Sequence, residues 1–215
     1  MKKLYIIGAG SVGGHVALNI SEYSDQFEVA GFLDDDLTKI GTEQFGYKVL
    51  GDVSKALDLQ DVAVVIGIAF PRTKKTIYER LSANNELVFP TLVHPQAWIS
   101  RDVTLGRGSI IYPGTSINYG SNVGDFVVIN MNCALGHHTS IGEHSSLAPG
   151  VNTGGHTTVG ESVELGIGVS TLQDVRIGTG SIVGGQSMVT KNVQADTTVV
   201  GVPAKPIMNY VKASS

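Results

Sequence analysis

From Ala97 to about Thr190 the chain repeats every six residues without an insertion. The third position of the hexad runs Ile99, Leu105, Ile111, Ile117, Val123, Ile129, Leu135, Ile141 and Leu147, and continues to Val189. Only Thr153 and Thr171 depart from Ile, Leu or Val. The first position is small or β-branched, as at Val103, Ser109, Thr115, Cys133 and Ser145, and Gly often follows the aliphatic residue. A period of six suits neither a helix, which repeats at 3.6, nor a lone alternating strand. It predicts a solenoid of short strands and turns, because one hexad cannot bury its own apolar face whereas stacked coils can. Gly and Asn at the corners supply backbone angles that other residues avoid. The spacing does not reveal the hand of the coil.

The first ninety residues follow another pattern. Lys2–Ile7 reads as a buried parallel strand, followed by Gly8-Ala9-Gly10-Ser11-Val12-Gly13, a G-x-G-x-x-G turn. Val12 to Ile20 carries apolar residues at helical spacing, and Phe27–Leu33 is a second strand that ends in Asp34-Asp35-Asp36. Backbone N–H groups at a glycine-rich helix start suit a phosphate, and an acid about twenty residues further on suits a hydroxyl or a base edge. The same turn also serves as a tight strand-to-helix connection without a ligand. Val62 to Ile68 is a further strand. Pro71 to Ala83 is a helix with Ile77 and Leu81 inward and Arg72, Lys74 and Lys75 outward, stopped at Asn84-Asn85. Leu87 to Val93 is a last strand, and His94-Pro95 marks a junction. The expected division is an α/β, Rossmann-like βαβ unit over 1–94, a parallel β-helix over 95–198 and a cap over 199–215. Ile207 to Val211 is expected to form a short closing helix.

Composition narrows the function. In 215 residues the charged share is 16% and the net charge is −4, with no basic patch, so nucleic acid is not an expected partner. No apolar run is long enough to span a bilayer, and glycines interrupt the run after the N-terminal lysines, so neither a membrane span nor a signal peptide is expected. The single cysteine, Cys133, excludes an internal disulfide and fits a reducing cytoplasm. In the small slot of its hexad it reads as structural.

Four histidines, His137, His138, His144 and His156, fall in the middle coils. The run N-C-A-L-G-His137-His138-x-x-I-G-E, followed by A-P-G and G-G-H, resembles the sugar acyltransferase family of the sialic acid O-acetyltransferases and the bacterial nucleotide-sugar N-acetyltransferases. The glycine-rich turn, the Asp pair, L-V-H-P at the junction, the hexads and G-V-P-A-K all occur in the family's order. The resemblance implies a left-handed β-helix with three hexads, eighteen residues, to a coil. It also implies a homotrimer with donor sites between neighbouring chains, acetyl-CoA as co-substrate, no metal, and direct transfer to an amino sugar of a nucleotide sugar during surface glycan synthesis. His137 stands at the position of the general base. His138 stands where the family carries an acid, and so lacks the carboxylate's fixed charge. Acetyl-CoA contacts fall on Ser146, Ile167 and Gly185, and nucleotide-sugar contacts on Gly10, Ser11, Val12, Asp34, Asp35 and Gly67. Ser146 and Val12 each replace a histidine found in some relatives.

Counting by eighteen stacks His138, His156 and Asp174 at one corner. Asp174 then either orients the imidazoles in place of the missing acid or belongs to a solvated column. His15 reads as half-buried in the first helix, His94 as a junction residue, and His144 as packing or an inter-chain contact. O-acetylation of a sialic-acid-type sugar uses the same base and donor. A γ-carbonic-anhydrase-type lyase, with inter-chain zinc histidines, and a non-catalytic solenoid are the readings from other classes.

Overall fold

The computed structural model describes residues 1–207. The closing helix expected from Ile207 to Val211 lies, but for its first residue, outside the described residues. Six strands form the N-terminal sheet: β1 (Lys2–Ile7), β2 (Phe27–Leu33), β3 (Glu43–Gln44), β4 (Tyr47–Gly51), β5 (Val62–Ile66) and β6 (Leu87–Val88), in the order β3-β4-β2-β1-β5-β6. All neighbours are parallel except the β3–β4 hairpin. Helix α1 (Ser11–Tyr23) links β1 to β2, and α2 (Pro71–Leu81) links β5 to β6. The chain therefore leaves β1 in one direction and returns at β5 on its other side. That reversal opens a crevice at the carboxyl ends of the strands, where α/β folds bind ligands. Gly13 is required here for closeness. A Cβ on it would lie 2.0 Å from the Gly8 carbonyl oxygen, and its N–H donates to the Gly67 oxygen at 3.1 Å, which seats α1 against the end of β5.

The expected strand Leu87 to Val93 is split in two. Leu87–Val88 closes the first sheet, whereas Leu92–Val93 pairs in parallel with Ile110–Ile111 as the first rung of the solenoid. From there each two-residue strand pairs with the strand eighteen positions on, as Ile110 does with Val128 and Ser116 with Ala134. Three parallel sheets result, so three hexads make one coil of a left-handed β-helix. The third-slot aliphatics fill the prism: Ile117, Val123, Ile129, Ile141 and Leu165 are all buried. Burying each contributes roughly 1.5–3 kcal/mol over leaving it in water.

The two Thr exceptions have a partner each. The Thr153 hydroxyl lies 3.1 Å from that of Thr139 and accepts from the Gly136 N–H, and Thr171 does the same with Thr157 at 2.9 Å and the Gly154 N–H. First-slot hydroxyls donate across the coil, Ser109 to the Gly124 carbonyl and Ser145 to that of Gly160, so these buried hydroxyls stay paired. Every sixth residue from Gly108 to Gln186 has a positive φ, near +60°, and forms a corner. His138, His144, His156 and Asp174 all stand at such corners.

The N-terminal unit leans on the first sheet of the prism, where Leu92, Ile110, Tyr112 and Val128 join its core. Helix α2 lies over the next rungs. Lys75 pairs with Glu161 at 2.6 Å and Arg72 with Asp196 at 3.0 Å. Lys74, expected outward, is fully buried: its Nζ donates to the Ser146 hydroxyl at 3.0 Å and to the Ser145 carbonyl at 3.3 Å. Three residues before Ile77 and seven before Leu81, it shares their face of the helix, so the outward expectation followed its charge and not its position.

Candidate functional site

All six residues expected to contact a nucleotide sugar line one cavity of about 320 Å³ at the crevice: Gly10, Ser11, Val12, Asp34, Asp35 and Gly67. Lys39, Ile68, Phe70 and Thr73, which sequence reasoning missed, complete the wall. The first turns of α1 and α2 both open onto it, so two helix N-termini, which attract anions, face a cavity whose charged side chains are Asp34, Asp35 and Lys39. Asp34 is already engaged by the protein. Its Oδ2 accepts from the Ala9 N–H at 2.8 Å and from Lys39 at 3.0 Å, and its Oδ1 from the Asp36 N–H at 2.9 Å. Burial alone raises an acid's pKa, but these N–H donors and Lys39 outweigh it and hold Asp34 below the usual carboxylate range. Asp35 is bound by the Val53 N–H and by Arg80. The Asp pair thus fixes the glycine-rich loop and the strand end around the cavity.

The histidines form a second centre on the solenoid. His137 Nδ1 and His138 Nδ1 are 3.0 Å apart, so one ring donates to the other. Tyr119, one coil below, stacks on His137 with centroids 5.4 Å apart and planes 11° from parallel. One coil above stands Gly155, where a Cβ would lie 2.7 Å from His137 Nε2. The missing side chain leaves that nitrogen uncovered. Counting by eighteen from His137 finds both Tyr119 and Gly155, a column that sequence reasoning applied only to His138. Gly155→Ala is expected to lower kcat tenfold or more by turning the imidazole off Tyr119, while Tm moves little. Its φ is one that alanine adopts, so only the ring is displaced, and a misplacement of about 1 Å is enough for such a loss. Thermal melts beside steady-state rates check this.

His138 and His156 stack at 4.8 Å with planes 6° apart, as the column predicts. No hydrogen bond joins Asp174 to either ring among the described residues, so the relay from Asp174 is not made here. The expected donor residues divide. Ile167 is exposed, and Gly185 stands beside it one coil on, where a Cβ would come 3.2 Å from the Ile167 oxygen. Ser146 is buried under α2 with its hydroxyl held by Lys74. Ile167 turns the chain from the first sheet of the prism to the second, whereas His137 turns it from the second to the third. One chain therefore presents base and donor residues on different edges.

The remaining candidates are structural. His15 is half-buried, stacks on Tyr112 at 4.0 Å and bonds the Tyr23 hydroxyl at 2.8 Å. His94 is buried at the junction, with Nε2 2.9 Å from Glu22. His144 stacks on Phe126 at 5.4 Å beneath Tyr78, and burial, helped by the charge of Lys74, lowers its pKa. Cys133 donates to the Ala148 carbonyl at 3.3 Å as the serines of its slot do, and burial pushes its thiol up to about 11. Cys133→Ser is expected to keep full turnover, and thiol alkylation of the folded chain to be slow. A time course of iodoacetamide labelling beside the activity checks both.

Residues 3–81 match the family model described as PglD N-terminal domain. Similar solved structures span nearly the whole chain. PerB from Caulobacter crescentus, in complex with CoA and GDP-perosamine, is 26% identical over 96% of this chain and 98% of its own, with a TM-score of 0.84. WeeI from Acinetobacter baumannii is 27% identical over 96% and 100%, with a TM-score of 0.84. The acetyltransferase domain of PglB from Neisseria gonorrhoeae, in complex with acetyl coenzyme A, is 26% identical over 96% and 99%, with a TM-score of 0.78. No curated protein matches by sequence. No helix among the described residues is long and apolar enough to cross a membrane.

Proposed function

We propose, from its likeness over nearly the whole chain to nucleotide-sugar acetyltransferases of the hexapeptide-repeat type, that the chain moves the acetyl group of acetyl-CoA onto the amino group of a nucleotide-linked amino-deoxy sugar, in the cytoplasm, for surface glycan synthesis. The observation that supports this most is the His137 imidazole, with Nδ1 3.0 Å from His138 and Nε2 facing the side-chain-free Gly155. In this reading His138 Nδ1 accepts the Nδ1 proton of His137 and so fixes the tautomer that keeps Nε2 basic. Nε2 takes the proton as the sugar amine attacks the thioester carbonyl. The C–N bond forms, the C–S bond breaks, and the coenzyme thiolate receives the proton. No acyl-enzyme forms, in keeping with a buried Cys133.

The 1–94 unit holds the nucleotide, its diphosphate facing the two helix N-termini and Lys39. The exposed Ile167 and the side-chain-free Gly185 suit a flat pantetheine arm. Their separation from His137 within one chain supports a homotrimer in which a neighbour supplies the donor edge. The relatives crystallised with CoA and GDP-perosamine support the same pair of substrates.

A mass-spectrometric screen of acetyl-CoA against amino- and hydroxy-sugar nucleotides, with wild type and His137→Ala, tests the reading. Acetylation of an amino sugar by wild type alone is expected. Transfer only to hydroxyls, or equal transfer by the variant, overturns it. Co-expressing His137→Ala with Gly185→Trp tests the shared site: two inactive chains are expected to regain about a quarter of wild-type turnover by random assembly into trimers.

A further inference from the structure

We propose that His137, His138 and His156 together bind one divalent transition-metal ion, zinc foremost, and that the bound ion silences the base. The regulatory half of this proposal rests on the catalytic reading above; the site itself does not. One ring nitrogen from each of the three lies within 4.8 Å of the others. The Nδ1 atoms of His137 and His138 are 3.0 Å apart. Two nitrogens on a tetrahedral zinc, each about 2.05 Å from the metal, stand roughly 3.3 Å apart, so that pair needs a shift of a few tenths of an ångström and the third nitrogen closes by up to about 1.5 Å through ring rotation.

The scaffold sets the third ligand. His138 and His156 occupy the same corner of successive coils, with φ of +57° at both, so their rings lie side by side at 4.8 Å. His137 meets them edge-on, its plane 90° from His138 and 89° from His156. Three imidazoles with no thiolate or carboxylate oxygen among them select zinc, copper or nickel over magnesium and calcium. His138 and His156 are exposed and His137 partly so, which gives the ion an entry path and leaves a fourth position for water. The corner column is closed by acids: Asp102 lies two coils below His138 with its carboxylate in that ring's field, and Asp174 lies one coil beyond His156. Their negative charge favours a cation between them.

The ion and the proton compete for the same imidazole. A metal held through His137 pins the ring and withdraws its lone pair, or removes the neighbour that orients it. Either way the amine loses its base. His144 takes no part, because it is buried under α2 and outside the cluster.

The experiment titrates the full chain, free of any histidine tag, with Zn2+ by calorimetry and with Co2+ by visible absorption. One ion per chain and a tetrahedral cobalt spectrum are expected. His156→Asn, chosen because Asn tolerates the corner's positive φ, is expected to weaken binding at least tenfold. Substoichiometric binding, or an affinity unchanged in His156→Asn, overturns the site. Acetyl transfer, assayed in parallel, is expected to fall with Zn2+ occupancy, to return with chelator, and to need at least tenfold more Zn2+ in His156→Asn. Stoichiometric binding without inhibition overturns the regulatory half alone. The binding data stand even where no acetyl transfer is detected, so failure of the catalytic reading is told apart from failure of the site.

Discussion

His137→Ala is expected to lower kcat by about 10²–10⁴, the range that a positioned general base contributes. KM for both substrates is expected to change little. The ring packs on Tyr119 at the surface and lies outside the prism core, so Tm is expected to stay within a few degrees of wild type. A kcat loss at constant KM marks an interaction made only in the transition state. A companion variant separates base from partner. His138→Glu places a fixed negative charge beside the His137 ring, which stabilises the imidazolium, so the acid limb of the rate profile is expected to move to higher pH. The corner φ of +57° costs a non-glycine residue about 1–2 kcal/mol, but His138 already bears that strain and Glu adds little to it. An unchanged rate in His137→Ala, measured over pH 5.5 to 8.5, would end the assignment of the base.

How far the sequence carried the architecture depended on whether the determinant was local. The hexad is written in the chain itself, so the slot arithmetic that put Ile111 and Ile129 on one face also predicted that His138 would stack on His156. The same arithmetic contained Tyr119 and Gly155, whose meaning appears only once His137 is known to lie between them. The six crevice residues were legible because a glycine-rich turn and a strand-end acid are local devices. What Asp34 does there was not, since the donors that occupy it come from Ala9 and Lys39 across a loop. The β3–β4 hairpin was missed because two residues and five carry no readable period. Lys74 was misplaced because its charge was read ahead of its position: three and seven residues before Ile77 and Leu81, it shares their buried face.

Lys74→Met is therefore expected to produce the largest gain in stability, and one that depends on pH. The lysine is fully buried, and burial lowers its pKa to about 7 from an ordinary 10.5. Below pH 7 the folded and unfolded chains both carry the proton, and the folded one bears the whole cost of a buried ammonium. Between about 7 and 10.5 only the unfolded chain holds it, so stability climbs as pH rises; above that range neither does and the cost is gone. Methionine of similar volume removes the charge at every pH. The Ser145 carbonyl keeps the Val128 N–H at 3.1 Å, so only the Ser146 hydroxyl loses a partner. The net gain at pH 6 is expected to be on the order of 2–4 kcal/mol, or roughly 5–10 °C in Tm for a chain of this size. It should shrink steadily towards pH 9. Melting curves of both proteins across that range decide the matter: parallel curves would mean that the amine is not paying for its burial.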